Sequence, residues 1–326
     1  MKIFLHNCFS DIVSIDNLLE AWKEFEKGKK KKPDVQEFSL KLMDNILSLH
    51  RDLSQGSYRH GGYKSFIIHD PKQRQIHKAC VRDRLLHHAV YRKLYPFFNR
   101  TFTSDSFSSR KGKGAHRAIV QCRRFASKVS ENNMKTCWVL QCDIRKFFAS
   151  IDHEVLLSIL GAYIKDEQTM VLLEKIIRSH SSATSGIGLP LGNLTSQLFV
   201  NVYLNELDQF VKHRLKAKYY IRYADDFLIL SQDKEWLEST CVEIGSFLGE
   251  KLKLELNLGK TSIKTLASGI DFLGYVIFPH HIVLRTKTKR RMMAKVSENN
   301  LSSYLGILGH CNGYGLEIRI KNLIES

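Results

Sequence analysis

At 326 residues with 43% hydrophobic content, the chain exceeds one typical domain, falls short of three, and can bury a sizeable core. Fifty Lys plus Arg against 33 Asp plus Glu give a net charge of +17, which points to a polyanionic partner such as nucleic acid. The charge is spread along the whole chain, which disfavours a membrane surface, and seven scattered cysteines without a CxxC pair disfavour zinc fingers and a disulfide framework.

The N-terminus "MKIFLHNCFSDIVSID" is too short in its apolar part for a signal peptide, and no run approaches the ~18 apolar residues of a membrane span. A soluble protein of the cytoplasm is therefore expected. Leu18, Leu19, Trp22 and Phe25 predict one amphipathic helix over 16–25, and Leu42, Ile46 and Leu49 a second over 38–53. Between them "KGKKKKP" reads as a solvated loop or a phosphate-contacting arm. From Tyr63 the pattern is strand, turn at Asp70-Pro71, strand, then a helix from about Arg82.

"SSRKGKGAHRAI" is a Gly-rich basic loop, and "WVLQC" a buried strand ending at Asp143. Helices over 153–164 and 167–179 lead to "GLPLGNLTSQ", a turn that starts another helix. Two short strands, "YYIRYA" and "FLILS", then enclose "ADD". A helix over 236–248, a strand pair around "LKLELNLGKTSIKTL", the turn-strand "IDFLGYVIF" and a basic helical tail from about Lys287 complete the chain. Strands and helices alternate without a regular βαβ period, so the class is α+β.

Adjacent Asp225 and Asp226 at a hairpin tip repel one another, and a two-residue hairpin ordinarily prefers Asn-Gly or Asp-Gly. A cation would offset the repulsion. Asp143 ends a buried strand, and two strand-end carboxylates side by side could hold two Mg²⁺ ions ~3.5 to 4 Å apart. The chemistry so implied is metal-assisted phosphoryl transfer, and no GxSxG, HExxH or P-loop offers a rival.

"DIRKFF" from Asp143, "GLPLGNLTSQ", "YADD", "LNLGK" and "FLGY" stand in the order of the palm motifs of reverse transcriptases, and the chain resembles that family from about Tyr63 to Phe278. The resemblance implies a right-hand polymerase fold: an N-terminal helical extension (1–62), fingers (63–135), a palm with a ferredoxin-like antiparallel sheet plus helices (136–278, its helical segment 153–187 toward the fingers) and a small helical thumb (279–326). It implies Asp143, Asp225 and Asp226 as catalytic, metal-binding carboxylates, with the carbonyl of Ile144 as a further ligand. The cofactor would be two Mg²⁺ ions, with Mn²⁺ able to substitute. Lys260 resembles the lysine that protonates pyrophosphate, or is an ordinary surface lysine. Phe148 stands at the aromatic gate against ribose, or is a core ring, with Phe147 the better core candidate. Lys72 and Arg74 resemble triphosphate-gripping cations, or belong to a solvated turn. Phe272, Leu273, Gly274 and Tyr275 resemble the primer grip.

The family's usual Pro-Gln-Gly is here Pro190-Leu191-Gly192, and its Ser-Pro is Ser196-Gln197. These departures, with "RDRLLHHAV" and "LGH" at 308–310, resemble the reverse transcriptases of diversity-generating retroelements of phages and bacteria. That branch copies a template RNA into cDNA with errors at adenines, from primer and dNTPs, beside a small basic oligomeric accessory protein. Leu191, Gly192 and Gln197 would then border the nucleotide. The alternatives are a compact bacterial enzyme of phage defence, a group II intron-like reverse transcriptase, and a non-catalytic RNA-binding protein on the same scaffold. Two basic clusters, Arg110, Lys111, Lys113, His116 and Arg117, and Lys287, Lys289, Arg290, Arg291 and Lys295, are expected to track a template-primer duplex on either side of the metals. The 48 residues after Phe278 are expected to hold no fused nuclease or integrase.

Overall fold

In the computed structural model, residues 3–69, 73–182 and 184–325 are described. Helix α1 (Phe9–Val13) leads to α2 (Ile15–Phe25), whose cap Ser14 accepts a hydrogen bond from the Asn17 amide and whose inner face buries Leu18, Ala21, Trp22 and Phe25. The basic run ends at Pro33, which opens α3 (Pro33–Leu40), because a fixed proline φ suits a first helical turn. The single helix expected over 38–53 is instead broken at Lys41, and α4 (Leu42–Ser54) starts afresh.

Strands β1 (Tyr63–Ile68) and β2 (Arg74–Ala79) form an antiparallel hairpin, followed by α5 (Val81–Thr101), which buries Leu85, Leu86, Ala89, Val90 and Leu94 as its spacing requires. Next come α6 (Ala115–Val129), β3 (Trp138–Asp143), the single turn α7 (Phe147–Ser150), and α8 (His153–Tyr163) and α9 (Glu167–Arg178), capped by Asp152 and Asp166. Helix α10 (Leu194–Gln209) runs into a π-helical turn at Phe210–Arg214, then β4 (Tyr220–Tyr223), β5 (Asp226–Ser231), α11 (Lys234–Leu252) and β6 (Ser262–Thr265). The chain closes with β7 (Ile270–Phe272), β8 (Tyr275–Ile277), β9 (Ile282–Leu284), α12 (Thr286–Lys295), α13 (Leu301–Leu308) and α14 (Tyr314–Glu325).

The strand pair expected around 252–266 is a single strand, β6, preceded by an isolated bridge between Leu256 and Ile144. Alternation of Leu254 and Leu256 with charged residues imitates a strand. The backbone there makes turn and bridge bonds in place of a ladder.

The chain divides into two compact units, Met1–Thr103 with Arg145–Gln209 and Phe247–Glu255, and Ser104–Ile144 with Phe210–Ser246 and Leu256–Ser326. In the first, α5 packs against α2 and α10. Helix α10 is enclosed nearly all round: it buries Leu198, Phe199, Tyr203, Leu204 and Leu207, and with them the polar Thr195, Ser196, Asn201, Asn205 and Asp208. In the second, a four-stranded antiparallel sheet of order β4-β5-β3-β6 carries α6, and β7-β8-β9 form a smaller sheet. Val139, Ile221, Leu228, Leu230, Ile119 and Phe125 share its core.

Arg222, on β4, is fully buried. Its amide donates to the Asp105 carbonyl at 2.9 Å and its carbonyl accepts from the Phe107 amide at 2.9 Å, while its guanidinium reaches Ser106 Oγ at 3.0 Å and the Ala224 carbonyl at 3.2 Å. A buried cation is tolerated only when its donors are used, so Arg222 locks loop 105–107 to the sheet edge. Arg222→Leu is expected to lower the unfolding free energy by about 2–3 kcal/mol in a denaturant titration, because the orphaned acceptors stay buried. A loss below the measurement error would contradict this.

Candidate active site

Strand β3 buries Val139, Leu140 and Cys142 ahead of its last residue, and pairing with β5 sets Asp143 opposite Asp226 at the sheet's end. The β4–β5 hairpin closes through two residues, Ala224 and Asp225, between the paired Tyr223 and Asp226. With no glycine available, Ala224 adopts the left-handed region at φ +54°, a conformation that costs a non-glycine residue about 1–2 kcal/mol. The Arg222 guanidinium on its carbonyl holds it there. The Ile144 amide donates to the Asp225 carbonyl at 3.3 Å, so the two strand ends are tied across the acidic tip.

Burial, then the charge of Asp225, then the bond and charge of Asp143 push the Asp226 carboxyl up to about 7, while Lys260 pulls it down. Asp143 itself is buried. Its Oδ2 accepts from Lys260 Nζ at 2.7 Å and from Asn257 Nδ2 at 2.9 Å, and its carbonyl accepts from the Asn257 amide at 2.8 Å. Thus Asp143, Ile144, Asp225, Asp226 and Lys260 are gathered in one place, with Asn257 added. Among the described residues no three His, Cys, Asp or Glu side chains enclose a metal ion by themselves. The donor set nonetheless suits a hard cation such as Mg²⁺, which takes one or two carboxylates and completes its shell with water and substrate phosphates. The elevated proton affinity of Asp226 reflects its burial first and the neighbouring carboxylates second, offset in part by Lys260.

The β7–β8 hairpin, also in the second unit, turns through Leu273 at φ +53° and Gly274 at φ +90° between Phe272 and Tyr275. Gln141 of β3 donates to the Asp271 carbonyl at 2.7 Å, joining this hairpin to the acidic sheet. Tyr275 donates to the Ile307 carbonyl at 3.0 Å and lies 3.4 Å from His116 Nε2, and the His116 ring stacks on His310 at 3.7 Å. These rings join His116 of the first basic cluster to Tyr275 of β8 and to His310, and both basic clusters belong to the second unit. Within it Arg110 holds the Ser106 carbonyl, Lys113 the Ser104 carbonyl and Arg117 the Gly112 carbonyl, while Lys111, Lys287, Lys289 and Arg290 are exposed and Arg291 is half-buried.

The remaining expected residues lie in the first unit. Phe147 is buried and Phe148 half-buried, their rings edge to face at 5.7 Å. The Phe148 carbonyl accepts from the Leu189 amide at 2.8 Å, and the Leu191 carbonyl from the His77 amide of β2 at 3.0 Å. Gly192 sits at φ +116°, where a Cβ would lie 2.9 Å from Ile76 Cγ2. Turn 188–193 is thus a seam between the Phe148 segment and the strand that begins at exposed Arg74. Gln197 is half-buried on α10, and Lys72 lies outside the described residues.

Residues 68–277 match the family described as reverse transcriptase (RNA-dependent DNA polymerase). The chain belongs to the reverse transcriptase family. This reverse transcriptase is 27% identical to protein YkfC of Escherichia coli (strain K12), over 69% of its own length and 67% of that protein. It is 24% identical to the group II intron-encoded protein LtrA of Lactococcus lactis subsp. cremoris, over 81% of its own length, and spans 54% of LtrA. Among solved structures it is similar to telomerase from Candida albicans in complex with a fragment of telomeric RNA, with TM-score 0.55 and 13% identity over 81% of this chain and 53% of that one. The expected polymerase fold, mixed helix with antiparallel sheet, is the one found.

Sequence reasoning missed Asn257 and Arg222. Arg222 was detectable as a lone charge inside an apolar strand, whereas Asn257 offered no signal beyond its place in "LNLGK". Because Asp226 is protonated in the fold but ionised when unfolded between its ordinary value of 3.8 and about 7, stability falls as pH rises through that window. Asp226→Asn in the metal-stripped protein is expected to raise Tm at pH 8 by more than at pH 5. An equal gain at both would contradict a raised Asp226 carboxyl in the fold.

Proposed function

We propose that the chain is an RNA-directed DNA polymerase acting by two-metal-ion nucleotidyl transfer, and that it serves a diversity-generating retroelement. The observation that carries the polymerase reading is the pairing of Asp143 with Asp226, Asp225 beside them, at the end of one sheet. Mg²⁺ ions held by these carboxylates and the Ile144 carbonyl would lower the pKa of a primer 3′-hydroxyl and neutralise charge on the leaving pyrophosphate. Lys260 would give its proton to that pyrophosphate. Phe148 would exclude a ribose 2′-hydroxyl, Arg74 with Lys72 would grip the triphosphate, and Phe272 to Tyr275 would press the primer terminus. The two basic clusters would follow the template-primer backbone, with affinity falling steeply with salt.

Leu191 with Ser196-Gln197 supports the retroelement reading. The Leu191 carbonyl is engaged by the His77 amide, and its apolar side chain would offer a nucleotide only van der Waals contact where the family's glutamine offers a hydrogen bond. A loss of about 1.4 kcal/mol in discrimination is roughly tenfold in error ratio. Template RNA, primer, dNTPs and a small basic accessory protein are the proposed partners, in the cytoplasm of a bacterial host. Among the described residues no helix is long and apolar enough to cross a membrane. The likeness to LtrA favours a second reading, a group II intron-like reverse transcriptase.

Co-expression with the flanking non-coding RNA, followed by sequencing of cDNA, separates the two. Errors concentrated at template adenines are expected; faithful cDNA favours the intron-like reading, and no cDNA contradicts both. In the same assay Leu191→Gln is expected to lower the error frequency several-fold, and an unchanged error spectrum would remove Leu191 from the account.

A further inference from the structure

Asn257 grips Asp143 at two points, through its side-chain amide on Oδ2 at 2.9 Å and its backbone amide on the Asp143 carbonyl at 2.8 Å. The preceding residue, Leu256, bridges to Ile144, the residue after Asp143. The Asn257 carbonyl in turn accepts from the amides of Lys260 and Thr261, each at 2.9 Å, and from Thr261 Oγ1 at 3.1 Å. Asn257 is therefore fixed by main chain relative to Asp143, and its short side chain has little entropy left to lose on making the bond.

Lys260 meets the same oxygen at 2.7 Å with a different kind of group, a long side chain that is 53% exposed. Such an ion pair is weak and easily exchanged. A divalent cation approaching Asp143 repels an ammonium but not a neutral amide. Lys260 must leave this oxygen to act on a pyrophosphate, and Asn257 need not.

We infer that Asn257 is a positioning residue that holds the Asp143 carboxylate in its working orientation whether or not Lys260 is engaged with it. The inference deepens the polymerase reading above and rests on Asp143 being a metal-binding carboxylate. It gives the two neighbours of one oxygen opposite effects. Asn257 favours cation binding by orienting the ligand, as hydrogen-bonded partners of metal-ligating side chains do, and Lys260 opposes it by competing.

The test uses the full, metal-stripped chain titrated with Mn²⁺ alone, bound ion being read by electron paramagnetic resonance, with the half-saturating Mg²⁺ for primer extension measured alongside. Asn257→Ala is expected to weaken Mn²⁺ binding roughly tenfold or more, Asn257→Ser to recover part of the loss, and Lys260→Met to tighten binding. The Mg²⁺ requirement should move in the same directions. If Asn257→Ala lowers thermal stability yet its folded fraction binds Mn²⁺ like the unchanged protein, the residue is merely structural and the inference fails. If Asp143→Asn also binds Mn²⁺ and extends primers normally, the assignment of Asp143 fails, and the inference with it.

Discussion

The antiparallel register of β3 against β5 is the constraint on which the rest of this molecule depends. It places Asp143 opposite Asp226 and leaves Asp225 at the turn between β4 and β5. Val139, Leu228 and Leu230 are buried on one face of the pair and Leu140, Cys142, Phe227 and Ile229 on the other, and a slip of one residue would exchange the two sets. Hydrophobic burial, which is indifferent to charge, thereby forces like charges together. The raised proton affinity of Asp226 records that conflict.

Around this constraint the second unit is arranged as a set of compensations. Lys260 and Asn257 satisfy Asp143, Arg222 braces the strained Ala224 carbonyl, and Ile144 ties the strand ends across the acidic tip. Backbone strain and like charge are thus concentrated together at one sheet end. In the first unit a different device appears. Turn 188–193 binds the Phe148 segment on one side and β2 on the other, through backbone amides and a glycine that admits no side chain.

The elements that could be read from sequence are those whose pattern is local. β3, β4 and β5 are dense in β-branched and aromatic residues, α8 and α9 carry aspartate caps, and α5 has an uninterrupted apolar face, so all lie within a few residues of their expected places. The acidic residues followed from those strands, because a carboxylate at each strand end becomes one site once the strands pair. Long-range geometry was not legible. "LKLELNL" alternates like a strand, yet its backbone is spent on a bridge to Ile144 and a bond to Asp143, which no local pattern encodes. The division into two units was equally hidden, since each is assembled from three separated stretches of chain. The break at Lys41 between α3 and α4 has no glycine or proline to announce it.

Leu191 lies in the turn joining the Phe148 segment to β2, and Ser196 and Gln197 follow it on α10. The central claim is narrower: the paired carboxylates at the end of one sheet carry out DNA synthesis. Primer extension on an RNA template by the purified protein with its RNA, comparing the unchanged chain with Asp225→Asn, tests it most directly. The account predicts Mg²⁺-dependent cDNA from the first and a loss of at least about a thousandfold from the second. Equal synthesis by both, or none by the unchanged chain, would contradict it.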